Sequence, residues 1–185
     1  MDQNAKLQDV IDSKLLSDRK VFLWGQVDDD SAKHVVDRLL YLEMIAPGKE
    51  IQLIINSPGG YVTSGMSIYD TMHAISSPVS TICSGLAASM GSIILSGGEK
   101  GRRFILPHGR VMIHQPSGGA RGQATDLEIQ MEEMQKTKLL SAEILAKNCG
   151  QTVKTILKDF DRDYWMSSDE SVKYGIVDKE IQKLV

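Results

Sequence analysis

The chain has 185 residues, 42% of them apolar, which is enough for one substantial core, so we expect a single domain over residues 1–185. Its 21 basic and 24 acidic side chains are interleaved and sum to a net charge of -3, which disfavours nucleic acid as a partner. The two cysteines, Cys83 and Cys149, show no CxxC or Cys/His grouping, which argues against a disulfide framework or a zinc site.

Residues 1–23 mix charges throughout and lack the apolar core of a secretory signal. No later apolar run approaches the length of a membrane span. From these two patterns we expect a soluble protein of the reducing cytoplasm, with no membrane partner.

Apolar runs of strand length alternate with segments of helical period, which predicts an α/β fold with a mostly parallel sheet. The predicted strands cover residues 20–27, 51–55, 79–83, 103–106, 110–114 and 175–178. Helices are predicted from a Ser31 cap to the Pro-Gly pair at 47–48, then at about 63–75, from near Ser89, and at about 123–148, 152–160 and 168–174. Gly150 is expected to end the longest helix.

That longest helix would extend about 39 Å at 1.5 Å per residue, about the width of the whole domain, so it should project. Leu127, Met131 and Met134 form an apolar stripe near its start. The stripe alone does not decide between packing on the chain's own core and packing on another subunit.

Two glycine-rich turns each follow a predicted buried strand, at residues 55–60 and 84–92. Ser89 lies in the second turn at the start of a helix, where backbone N–H groups and the helix dipole stabilise an oxyanion. Met90 and Gly60 are the candidate N–H donors. A serine at a helix start is ordinarily a cap, so Ser89 needs partners before a catalytic role follows.

A serine nucleophile needs a base of near-neutral pKa, and the chain has four histidines. His114 ends an apolar strand and precedes a glycine-bearing loop, which favours it over His34 and His73 in helices and His108 in a turn. For any single histidine, however, a half-buried structural role is the commoner one. Asp163 is a candidate to orient the base, with the aromatic pair at 164–165 available to shield it. Asp159 and Asp161 compete for that role, and sequence chemistry does not choose among the three.

Other chemistries have less support. The chain has no GxxxxGK[ST] phosphate loop, no HExxH pattern and no metal-ligand spacing of its histidines and carboxylates. We therefore expect neither a metal nor a cofactor.

Several long segments, in order from about residue 10 to the end, resemble the proteolytic subunit of the Clp protease. They are NSPGG (56–60), GMSIYDTM (65–72), STICSGLAASMG (80–91), RVMIHQP (110–116), GQATD (122–126), DRDYWMS (161–167) and YGIVD (174–178). The resemblance implies a crotonase-like α/β fold and a serine endopeptidase with Ser89 as nucleophile, His114 as base and Asp163 as orienting acid. It also assigns the oxyanion donors to Gly60 and Met90.

The resemblance further implies that an extended peptide binds along Gly60, Tyr61, Val62, Ser117 and Gly119. A handle region at about 116–148 would interlock two stacked seven-membered rings, and Asp161 and Arg162 would couple the triad to ring contacts. An AAA+ unfoldase would deliver unfolded polypeptides and use the ATP. This makes an intersubunit role for Leu127, Met131 and Met134 the expected one.

Two features depart from the family pattern. Residues 1–9 of an N-terminal segment 1–15 are short and polar where the family usually has a longer apolar segment, and the unfoldase-docking positions are Gln52, Ile54 and Ala74 where aromatic residues are common. A specialised paralogue that depends on a second ring would fit both. The alternatives are a structural ring subunit with low intrinsic activity, and an acyl-CoA enzyme of the crotonase group, which the Ser89, His114 and Asp163 set disfavours.

Overall fold

The computed structural model describes residues 3–119 and 121–184. Met1, Asp2, Ala120 and Val185 lie outside the described residues, so the predicted segments 1–15 and 116–148 are seen without Met1, Asp2 and Ala120. The helices of the described chain are α1 (Gln3–Ser17), α2 (Asp29–Ile45), α3 (Val62–Ala74), α4 (Met90–Ser96), α5 (Ala124–Cys149), α6 (Val153–Asp159) and α7 (Ser168–Tyr174). The strands are β1 (Lys20–Val27), β2 (Ile51–Gly60), β3 (Val79–Ala88), β4 (Arg103–Ile105), β5 (Arg110–Ile113), β6 (Tyr164–Met166) and β7 (Lys179–Glu180).

The sheet is mostly parallel, as the alternation of apolar runs predicts. Its main path runs β1-β2-β3-β4-β7, and β3 divides its pairing, since its first half pairs with β4 and its second half with β5. Strand β6 pairs antiparallel with β5. Because β3 and β5 are parallel and adjacent, the residues that follow them, Ser89 and His114, emerge at the same edge of the sheet.

The core lies between the sheet and the helices packed on it, and its largest fully buried side chains include Phe160, Leu23, Leu39, Leu53, Ile94 and Met90. Helix α4 is buried along its whole length. Helix α5 is divided: near its end Ala142, Leu145 and Ala146 are buried, whereas Ile129 and Met131 near its start are more than half exposed. The first half of α5 therefore projects from the core, as its length predicts, and Gly150 ends it with a left-handed φ of 69°.

The strand predicted at 175–178 is wrong. Gly175 ends α7 with φ 89°, and the Ile176 N–H then donates back to the Ser171 carbonyl, so this stretch closes a helix and the strand begins only at Lys179. Strand β6 and helix α1 were not predicted. Ser31 is also not the cap of α2: Asp28 is, and Ser31 completes a reciprocal capping box with it.

Most of the two predicted glycine-rich turns is regular structure, and within the second only Ser89 lies between a strand and a helix. Strand β2 continues to Gly60 and β3 to Ala88, and the register between them shifts from Ile55 opposite Cys83 to Ser57 opposite Ala87. Gly85, at φ 100°, allows this bulge, and the Asn56 side chain accepts a hydrogen bond from the Leu86 N–H beside it. Periodicity does not reveal such a bulge.

Candidate active site

Ser89 occupies a strained turn between β3 and α4. Its φ of 52° and ψ of -123° lie in a region that residues with a side chain rarely adopt. Ser89 is half-buried, and its N–H donates to the Met112 carbonyl of β5 at 2.9 Å. A sharp strand-to-helix turn of this kind presents the nucleophile in hydrolases of other folds.

The Ser89 hydroxyl does not cap α4. No side-chain capping bond forms at this position, and the hydroxyl oxygen lies 2.9 Å from His114 Nε2. The structural alternative for Ser89, an ordinary helix cap, is therefore wrong.

His114 follows β5 directly and bridges two partners. Its Nε2 faces Ser89, and its Nδ1 lies 3.1 Å from Asp163 Oδ1. The pairing of β5 with β6 explains this second contact: Ile113 lies opposite Tyr164, so one more antiparallel step places His114 opposite Asp163. The β5–β6 pairing therefore brings His114 and Asp163 opposite each other, one step beyond the end of the ladder.

The competing aspartates have other partners. Asp159 accepts a hydrogen bond from the Tyr174 hydroxyl at 3.0 Å, and Asp161 accepts from the Gln115 amide. Burial, and then the hydrogen bond to Asp159, raise the pKa of Tyr174, so its hydroxyl stays protonated and donates. Only Asp163 of the three contacts His114 in the structure.

The predicted aromatic shield over Asp163 is wrong for this chain. The Asp163 side chain is 58% exposed, and the Tyr164 and Trp165 side chains are 39% and 46% exposed as residues. Tyr164 packs against Tyr174, with ring centroids 5.6 Å apart, and Trp165 lies under the Arg110 guanidinium. The rings face these partners because β6 is a short edge strand whose side chains alternate between faces.

Gly59 forms the floor of the site, and sequence reasoning missed it. A Cβ on Gly59 would lie 2.6 Å from Ser89 Cβ and 2.9 Å from the Met90 nitrogen, distances that real side chains do not adopt. Its φ of 90° is also favourable only for glycine. The Gly59-Gly60 pair was a signal for this contact, because two adjacent glycines allow the backbone to turn and to approach a neighbouring segment closely.

The predicted oxyanion donors lie beside this contact. Met90 opens α4, where backbone N–H groups have no partner within the helix. Gly60 is the last residue of β2 and lies opposite Val27 of β1, with a φ of 156°. Gly59 and Gly60 thus bring the end of β2 against the turn that carries Ser89.

The remaining predicted residues lie on the segments that follow Gly60 and His114, on the loop before Asp163, or in β2 and α3. Tyr61 is 62% exposed and Val62 half-buried after Gly60, and Ser117 and Gly119 are exposed after His114. Asp161 and Arg162 are exposed on the loop that leads to Asp163. Of the docking positions, Ile54 is buried, Gln52 half-buried and Ala74 exposed at the end of α3, so they form no exposed apolar surface together.

Within residues 3–119 and 121–184, no group of three or more His, Cys, Asp or Glu side chains is arranged to hold a metal ion. In the same part of the chain, every helix is too short or too polar to cross a bilayer. Burial raises the pKa of both thiols, Cys83 and Cys149, to about 12, so neither is a nucleophile at neutral pH.

An α/β sheet that presents a strained serine to a histidine, which in turn contacts an aspartate, defines the class of the site: it is the arrangement found in serine hydrolases. The family model described as Clp protease matches residues 2–183. The chain belongs to the Clp protease family, and with it to a family of peptidases whose members generally form ring oligomers with AAA+ partners.

Proposed function

We propose that this chain is a serine endopeptidase that hydrolyses peptide bonds with Ser89, His114 and Asp163. The observation that carries the proposal is the continuous pair of contacts from the Ser89 hydroxyl to His114 Nε2, 2.9 Å, and from His114 Nδ1 to Asp163, 3.1 Å. In this mechanism His114 takes the hydroxyl proton as the serine oxygen attacks the peptide carbonyl, and then gives it to the leaving amine. Water hydrolyses the acyl-enzyme by the same steps. No cofactor is needed.

The oxyanion of the tetrahedral intermediate would be held by the backbone N–H groups of Met90 and Gly60. Each such donor is worth about 10²–10³ in kcat where it has been removed in other enzymes. The strained Ser89 turn supports this role, because it places the nucleophile immediately before the first N–H of α4.

The substrate would be an extended, unfolded polypeptide lying along Gly60, Tyr61, Val62, Ser117 and Gly119. These residues lie on the segments that follow Gly59 and His114 and most of them are exposed, and backbone pairing with such segments tolerates many sequences. That tolerance suits the degradation of polypeptides delivered by an AAA+ unfoldase in the cytoplasm. The assembly we propose is two stacked heptameric rings, alone or with a paralogous ring.

In that assembly the exposed first half of α5 forms the contact between rings. Leu127 and Met134 are half-buried and Met131 is exposed, so the stripe is not part of this chain's own core. Arg162 and Asp161 would connect ring contacts to the triad. Arg162→Ala should then lower activity and loosen ring stacking together, measured by peptide hydrolysis and particle mass; full activity in a dissociated particle would contradict the coupling.

A fluorescent fluorophosphonate tests the chemistry directly. We expect it to label Ser89, with Ser89→Ala unlabelled and Ser13→Ala, a change at an exposed serine of α1, labelled as the wild type. A fluorogenic peptide assay with particle mass on the same sample reports hydrolysis and assembly. Absence of labelling in both the homomer and a particle mixed with a paralogue would favour the alternative, a structural ring subunit.

A further inference from the structure

Gln115 joins the chain just after β5 to residues 160–163, the aspartate loop, which leads to and includes Asp163. It follows His114 directly, and its backbone N–H donates to the Phe160 carbonyl at 2.7 Å. Its side-chain Nε2 donates to the Asp161 carbonyl at 2.8 Å and lies 3.3 Å from Asp161 Oδ1. One residue therefore makes three contacts with the segment that leads into Asp163.

These contacts lie where the sheet pairing has ended. The β5–β6 ladder stops at Ile113 opposite Tyr164. The segment before Tyr164, residues 160–163, has no regular structure, and it begins at Phe160, which is fully buried at the end of α6. The Gln115 contacts span this gap. They fasten the free side of the aspartate loop to the residue next to the imidazole.

Packing does little to fix the carboxylate itself. The Asp163 side chain is 58% exposed, and the two aromatic rings that follow it contact Tyr174 and Arg110 instead. An exposed side chain on an irregular loop samples several positions unless hydrogen bonds hold the backbone. Nearest to Asp163 on this side, the hydrogen bond from the Gln115 side chain holds the backbone of Asp161, two residues before the carboxylate.

We propose that Gln115 is a positioning residue, which holds Asp163 within hydrogen-bond distance of His114 through the Asp161 backbone. This inference rests on the proposed function, because it assigns Gln115 a role in the same triad. It gives Gln115 no contact with substrate.

The test uses two variants of the full chain that keep the length of the side chain. Gln115→Met removes the amide donor without adding charge, and Gln115→Glu replaces it with an acceptor that faces the Asp161 oxygens. We expect kcat for a fluorogenic peptide to fall about tenfold in Gln115→Met and further in Gln115→Glu, with KM within about twofold, because a displacement near 1 Å costs up to 10²-fold in rate.

A second set of variants, made in the Asp163→Asn chain, distinguishes the positioning role of Gln115 from a merely structural one. In an Asp163→Asn chain, Gln115→Met should lower the rate of peptide hydrolysis less than about twofold, because the residue that it positions no longer acts. A tenfold loss in both backgrounds, or an unchanged kcat in the single variant, would overturn the inference. The matched control is Gln182→Glu, which removes an exposed amide donor to Glu180 far along the chain and should leave kcat unchanged.

Failure of the proposed function gives a different result. If Ser89 of the wild type is neither labelled nor active, the crystal structure of Gln115→Met decides the positioning claim. We expect His114 Nδ1 and Asp163 Oδ1 to separate beyond hydrogen-bond distance in that variant. A contact unchanged from 3.1 Å would refute it.

Discussion

The two ends of the candidate triad are built in opposite ways. Ser89 follows a buried strand and precedes a fully buried helix, with Gly59 packed against it, so its position is fixed by the core. Asp163 lies on an exposed loop that a few hydrogen bonds hold. Substitutions around Ser89 should therefore lower both activity and stability through steric overlap. Substitutions around Asp163 should lower activity alone, through loss of orientation.

Gly59→Ala should have the largest effect, because its Cβ would overlap Ser89 Cβ and the Met90 nitrogen. We expect activity to fall more than about 100-fold and stability by about 1–3 kcal/mol, measured by peptide hydrolysis and urea unfolding. Gly101→Ala is the matched control, since its φ of 86° imposes the same backbone strain with open space around the Cβ. Equal activity losses in the two variants would show that strain, rather than overlap, is responsible.

Asp163→Asn should separate activity from stability. We expect hydrolysis to fall about 100-fold or more, because the imidazole loses the partner of its Nδ1, while the free energy of unfolding changes by less than about 0.5 kcal/mol, as for other exposed positions. Asp37→Asn, at an exposed carboxylate of α2, should change neither quantity. An Asp163→Asn protein that kept its activity would remove the carboxylate from the mechanism.

The Arg103–Asp178 pair, in which Arg103 is buried and Asp178 half-buried, offers a contrast in stability. Burial raises the pKa of Asp178, but the hydrogen bonds and charge of Arg103 outweigh burial and hold that pKa below its ordinary value. A lowered folded pKa means that the stabilisation is present above the unfolded value of 3.8 and is lost as the pH falls through the folded value.

Asp178→Asn should therefore be less stable than the wild type at pH 7 and lose less of its stability on acidification below about pH 5, followed by urea unfolding at several pH values. Arg103→Gln should likewise weaken the pH dependence of the free energy of unfolding over this range. The effects of the two substitutions should not add in the Arg103→Gln/Asp178→Asn double variant. Parallel curves for wild type and Asp178→Asn would contradict the assignment of this range to the pair.

The smallest effect concerns the aspartate loop. Tyr174→Phe removes the hydroxyl that donates to Asp159 but keeps the ring on Tyr164. We expect a loss of about 1 kcal/mol in the free energy of unfolding and a fall of no more than about threefold in activity. Tyr41→Phe, at an exposed position on α2, is the control. A larger activity loss from Tyr174→Phe would mean that Tyr174 shares the positioning of Asp163.

Much of the fold could be predicted because its signals are local. Apolar period located six of the helices and most strands, and Gly150 was expected to end α5 for the reason that it does. The 175–178 stretch failed because a short apolar run reads alike whether it pairs in a sheet or closes a helix. The strand β6 was missed because three residues are too few to show a period.

The candidate site was predicted unevenly. The place of Ser89 between a strand and a helix and that of His114 at the end of a strand made both candidates, and the resemblance assigned their roles. Asp163 could not be separated from Asp159 and Asp161 by the residues alone, and the resemblance made that choice. Gly59 and Gln115 were missed because their roles consist of contacts with segments about 30 and 45 residues away.

The sequence by itself determined the class of fold, the small residues before Ser89 and the family to which the chain belongs, because these depend on local pattern and on long matching segments. The tertiary structure decided the bulge between β2 and β3, the exposure of Asp163 and the partners of the three aspartates. Such features depend on which strands are neighbours and in what register, and a one-residue change in register would separate His114 from Asp163 without changing any local pattern.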